Sequence, residues 1–261
     1  MIIDVHCHAW PDAIAERALG PRVPQLPRVG DGKISSLPGV LAEAGVDRGV
    51  LLGIADTAKY VDGVNRFVAR SRGGPLLGFG TIHPDLPLEE NLDSLRRNGI
   101  PGVKLHSLFQ GFAYDDHRVW DILEAFGSDI AVIAHVGAGG DGASNERATP
   151  AMIRDIVRQF PDLKMVACHF GGYHRLDEAE ADLLGENVHL ETSWPPTMAE
   201  LDPERVVAII RRHGADRVVY GSDWPMADPA AEIAAIRDLG LTREEEDGIL
   251  GDNLARLVGL S

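Results

Sequence analysis

The sequence predicts a single α/β domain built as a distorted (β/α)8 barrel over residues 1–261, with its active site at the C-terminal ends of the strands. Three observations predict it. Short β-branched or apolar runs alternate with helical stretches along the whole chain, which implies parallel strands joined by crossover helices. Eight such runs occur, and most are apolar on both faces, as strands buried on both sides must be. Histidines gather where those runs end.

The strands are expected at residues 2–8, 48–54, 76–83, 102–106, 129–136, 164–171, 187–193 and 217–223. Ile2–His8 shows why: Ile3, Val5 and Cys7 alternate with Asp4, His6 and His8, the period-2 signature of a strand. Helices are expected at 61–70, 88–98, 119–126, 151–159, 198–213, 229–239, 243–250 and 253–257. Gly137–Gly142 fits G-x-G-x-x-G after a strand, but no helix opens within its glycines. It reads as an active-site loop instead of a dinucleotide fingerprint.

Composition narrows the class. A net charge of −15 argues against nucleic acid or an anionic membrane as partner. Only two cysteines, Cys7 and Cys168, are present, so no disulfide framework is expected. With no signal-peptide pattern and no long apolar run, the expected setting is the cytoplasm and the expected partner a small-molecule substrate. The sequence does not fix the oligomeric state; a homodimer paired through helix faces is compatible with an acidic barrel of this size.

Six of the ten histidines fall at expected strand ends: His6, His8, His83, His106, His135 and His169. Asp223 ends the eighth strand, and Lys104 lies two residues before His106. His6, His8, His135, His169 and Asp223 together read as a metal site. Imidazole nitrogen with one carboxylate suits zinc and tolerates manganese. Water on such an ion ionises near pH ~7, and Asp223 is the candidate to take its proton and return it to a leaving group. Alternation then turns Cys7 and Cys168 outward, into the helix layer.

These residues resemble the amidohydrolase superfamily, in the amidohydrolase 2 branch that includes aminocarboxymuconate-semialdehyde-decarboxylase-like proteins. The likeness runs through IDVHCH, GVKLH, IAHVG, ACHFGG and VVYGSDWP. It implies a single divalent ion, usually zinc, on His6, His8, His135 and Asp223. His169 would orient substrate or the bound water, or hold a second metal. Lys104 stands where binuclear relatives carry a carbamylated lysine, and here it is expected to stay an amine. His106 is placed to touch substrate, and Trp10, Phe112, Trp194 and Trp224 are candidates to line the pocket, with Phe109 and Tyr114 nearby.

The resemblance implies either hydrolysis of a small amide, ester or lactone by metal-bound hydroxide, or nonoxidative decarboxylation of an aromatic or unsaturated acid. Hydrolysis is the expected reaction, because decarboxylation needs carboxylate clamps and only Arg22, Arg28 and Arg147 lie in suitable loops. A metal-free lactonase and a binding protein are the remaining alternatives.

Overall fold

The computed structural model describes residues 1–20 and 28–260. Arg22 lies outside the described residues. All eight expected strands form in order: β1 (Ile3–Cys7), β2 (Arg48–Leu52), β3 (Leu76–Phe79), β4 (Gly102–Leu105), β5 (Ala131–Ala134), β6 (Met165–Ala167), β7 (His189–Glu191) and β8 (Val218–Val219).

Two sheets, β1-β2-β3 and β4-β5-β6-β7-β8, contain them, with parallel registers such as Ile3 opposite Arg48 and Lys104 opposite Ile133. A parallel bridge between Gly80 and Val103 links the end of β3 to β4. The Val5 N–H donates to the Tyr220 carbonyl at 3.0 Å, linking β1 to the residue after β8. The strand order is therefore cyclic, as a (β/α)8 barrel requires.

Two compact units are distinguished: Met1–Leu51, Ser71–Leu77 and Glu191–Ser261 in the first, Leu52–Arg70 and Gly78–Leu190 in the second. In the first, every residue of β1 and β8 is buried; in the second, so is every residue of β4, β5 and β6. Among the described residues, no helix is long and apolar enough to cross a membrane.

Local chemistry sets the helix boundaries. Asp116, Thr149, Asp202 and Asp228 each accept a hydrogen bond from the first turn of their helix, and Pro150, Pro203 and Pro229 occupy the position where a missing N–H costs nothing. Asp202 and Pro203 also break the helix expected over 198–213. A 3-10 turn, Met198–Glu200, precedes the cap and a new helix, Pro203–His213, follows it. The helix expected over 243–250 stops at Asp247 and passes through a π turn, Gly248–Asp252. Helices at Leu37–Glu43 and Leu176–Asp182 are additions to the sequence reading. Contrary to expectation, a helix does open on the last glycine of the Gly137–Gly142 segment, but it is a single turn, Gly142–Asn145, capped by Asp141.

The strands are shorter than expected: all eight end early, and β1, β5, β6, β7 and β8 also start one or two residues late. β6 stops at Ala167 because His169 and Phe170 take φ of 61° and 51°, and Asp223 beyond β8 takes 63°. A left-handed residue cannot continue a ladder.

Glu232, on the helix Pro229–Arg237, accepts the Met198 N–H at 3.0 and 3.2 Å and so ties down the loop after β7. Burial raises its carboxyl to about 7. The folded state thus holds this proton more tightly than the unfolded chain. The stabilisation is complete below an ordinary glutamate pKa and is lost as pH rises through about 7. Between pH ~5 and ~8 the wild type is expected to lose about 3 kcal/mol relative to Glu232→Gln, as read from urea unfolding at the two pH values.

Candidate functional site

Each unit carries its own cluster of strand-end side chains. In the first unit, β1 projects His6 and His8 to the same side, and their Nε2 atoms stand 3.0 Å apart. Asp223 Oδ1 lies 3.3 Å from His6 Nε2 and 3.5 Å from His8 Nε2. The left-handed backbone at Asp223 is held from both sides. The Asp223 N–H donates to the His6 carbonyl at 2.8 Å. Just before it, the Ser222 N–H and Oγ donate to Asp4 at 3.0 and 2.6 Å. Asp4 also accepts the His6 N–H at 3.0 Å. Buried without exposure, its carboxyl is pushed above the ordinary range by desolvation.

Glu191, at the end of β7, completes this cluster: its Oε2 is 3.0 Å from His6 Nδ1. Ser193 donates from Oγ to the same oxygen at 2.9 Å and from its backbone N–H to Oε1. Sequence reasoning did not single out Glu191. The available signal is that Glu191 and Ser193 stand two apart at a strand end and so share a face.

Donor atoms sharing one zinc ion at ~2.0–2.2 Å stand about 3.0–3.5 Å apart. The three donors His6 Nε2, His8 Nε2 and Asp223 Oδ1 have that spacing, so the residues present fit a divalent ion.

In the second unit, His135 and His169 meet at 3.0 Å, Nδ1 to Nε2. The His135 Nε2–H donates to the Ala138 carbonyl at 3.0 Å, which leaves the lone pair on Nδ1. Desolvation, with the charge of Lys104 adding to it, lowers the His135 pKa to about 3, so this imidazole is neutral and suited to bind a metal. His106 is sandwiched, its ring 3.9 Å from Phe109 and 4.2 Å from His135, nearly parallel to both.

Lys104 is fully buried and donates to Cys168 Sγ at 3.0 Å. This corrects the outward placement of Cys168. Cys168 is still extended, but His169 takes φ of 61°, so the two do not alternate as strand neighbours would, and the thiol reaches Lys104 on β4.

The aromatic candidates fall into two groups. Trp10 is half-buried and stacks at 6.3 Å on His8, and Phe109 is half-buried on His106. Phe112, Trp194 and Trp224 are buried. Phe112 sits edge-on to His83 and Tyr114. Trp224 packs so closely on Gly30 that a Cβ there would lie 2.4 Å from its Nε1. Arg28 is exposed and paired with Glu16 at 3.5 Å.

A family model described as Amidohydrolase matches residues 3–260. No curated protein matches the chain. Among solved structures, the chain is similar to an uncharacterized TIM-barrel protein from Bordetella bronchiseptica, at 18% identity over 99% of this chain and 98% of that one, with a TM-score of 0.80. A dihydroxybenzoic acid decarboxylase from Polaromonas, with bound manganese and 2-nitroresorcinol, matches at 17% identity over 99% and 97%, TM-score 0.69. A probable 2-pyrone-4,6-dicarboxylic acid hydrolase from Acinetobacter baumannii, with citric acid bound, matches at 18% over 99% and 99%, TM-score 0.69. At these identities the likeness is one of fold: all are barrels of the kind described above.

Proposed function

The chain belongs to the amidohydrolase family, in the branch called amidohydrolase 2, and from that premise we propose that it is a metal-dependent hydrolase of a small amide, ester or lactone. The observation that carries this reading is the convergence of His6 Nε2, His8 Nε2 and Asp223 Oδ1 at 3.0, 3.3 and 3.5 Å. One divalent ion, zinc before manganese, is assigned to them. Such an ion polarises a carbonyl and lowers the pKa of water towards ~7.

The side chains divide the remaining work. His6 and His8 present two imidazole nitrogens. Asp223 turns Oδ1 to the imidazoles, and its second oxygen takes the proton of the attacking water and returns it to the leaving group. His169 orients substrate, and Lys104, held on Cys168, stays a plain amine. The carboxylates of Asp4, Glu191 and Asp223 around His6 favour a neutral carbonyl substrate over an anionic one. The two buried thiols, Cys7 and Cys168, suit a reducing cytoplasm.

The test is a paired screen with zinc-loaded protein: lactones, esters and amides for hydrolysis, aromatic and unsaturated acids for carbon dioxide release. Hydrolysis that is lost in Asp223→Asn is expected. Carbon dioxide release without any hydrolysis would replace this reading by decarboxylation.

A further inference from the structure

Neutral histidine carries one proton, and which nitrogen holds it decides whether the other can bind a metal. His6 has its Nδ1 3.0 Å from Glu191 Oε2 and 3.3 Å from Ser193 Oγ. Ser193 Oγ donates its own proton to Glu191 Oε2, so it meets His6 as an acceptor. Both of these neighbours accept at Nδ1, whereas Nε2 faces His8 and Asp223 Oδ1. A metal held on Nε2 needs that nitrogen's lone pair, which puts the proton on Nδ1.

From this we infer that Glu191 is a positioning residue: it selects the tautomer and fixes the ring plane of His6, and through His6 it sets the affinity of the metal site. The inference rests on His6 being a ligand, and it adds a residue from a strand to which no ligand was assigned.

Two further features belong to the same arrangement. Glu191 has no solvent exposure, so its bond to the imidazole is not weakened by competing water. Its carboxylate is steadied by the Ser193 N–H as well as Oγ. Space for the pair comes from Gly221, in the GSDWP segment. A Cβ at that position would stand 2.5 Å from Glu191 Oε1 and 2.8 Å from His6 Cβ. Gly221 therefore serves the imidazole–carboxylate pair, separately from the neighbouring ligand Asp223.

Two measurements on the full-length chain test the assignment. The first equilibrates wild type, Glu191→Ala, Glu191→Gln and Ser193→Ala with zinc in a graded chelator buffer and reads the dissociation constant. Glu191→Ala is expected to weaken zinc binding by about 10- to 100-fold. Glu191→Gln keeps a carbonyl oxygen for the Nδ1–H and is expected to recover most of that loss, which a role in packing alone would not require. The second is a long-range proton–nitrogen NMR spectrum with 15N-labelled histidine. It is expected to show the His6 proton on Nδ1 in wild type and Glu191→Gln, with an Nε2–H population appearing in Glu191→Ala.

Zinc affinity unchanged in Glu191→Ala, or a wild-type proton on Nε2, would overturn the assignment. If Glu191→Ala does not fold, Glu191→Gln and the wild-type spectrum still decide it. Failure of the wild type to bind zinc would remove the metal reading, while the spectrum would still report whether Glu191 sets the tautomer.

Discussion

Protein purified without chelator or a polyhistidine tag is expected to carry about one zinc or manganese ion per chain, and Asp223→Ala and His6→Ala are expected to lose it. The donor spacing of 3.0 to 3.5 Å among His6, His8 and Asp223 is the reason. Removing one of three convergent donors removes a ligand, and it also lets water fill the gap. Activity on any substrate found should fall by roughly 10^3-fold or more in either variant, because water then keeps its ordinary pKa. Mass spectrometry of metal content is the check. His135→Ala belongs in the same experiment, since the resemblance assigns that residue to the ion: loss of metal supports the assignment, and retention restricts the ligands to His6, His8 and Asp223. About two ions per chain would instead bring His169 and a modified Lys104 into the ligand set. No ion, even after soaking, would defeat the hydrolytic mechanism and leave a metal-free lactonase or a binding role.

The second large effect is expected at Asp4, which touches no substrate in this reading. Its carboxylate receives the His6 N–H, the Ser222 N–H and the Ser222 Oγ. It thereby joins β1 to the turn that aims Asp223. In Asp4→Ala these buried donors lose their acceptor, each at a cost of about 1–3 kcal/mol. A total loss of about 3–5 kcal/mol in guanidinium unfolding is expected, with weaker metal retention. Asp4→Asn keeps an oxygen for the two backbone donors, and the Ser222 hydroxyl can rotate to accept from its amide. Most of the stability should return with it. Equal destabilisation by both variants would mean that charge, and not hydrogen-bond geometry, is what the turn requires.

Much of the fold is legible in the chain because it is local. The alternation of Ile3, Val5 and Cys7 with Asp4, His6 and His8 follows from the pleat of a strand, so the pairing of His6 with His8 could be read directly. Asp-Pro pairs at 202–203 and 228–229 mark helix starts for an equally local reason, a side-chain acceptor followed by a residue with no N–H. The helix expected over 198–213 is broken at the first of these pairs.

What could not be read is what the backbone does after the ladder ends and what lies across it. Cys168 was placed by extending alternation through a segment where His169 and Phe170 have positive φ, and the thiol lies on Lys104 instead. By itself, then, the sequence determined the succession of eight strands and that His6, His8, His135, His169 and Asp223 fall at or just beyond their C-terminal ends, because periodicity and capping act over a few residues. Tertiary structure alone decided that Glu191 meets His6 185 residues away and that Asp4 holds Ser222 218 residues away. A buried donor takes whichever acceptor folding brings within about 3 Å, and nothing in the local sequence specifies that partner.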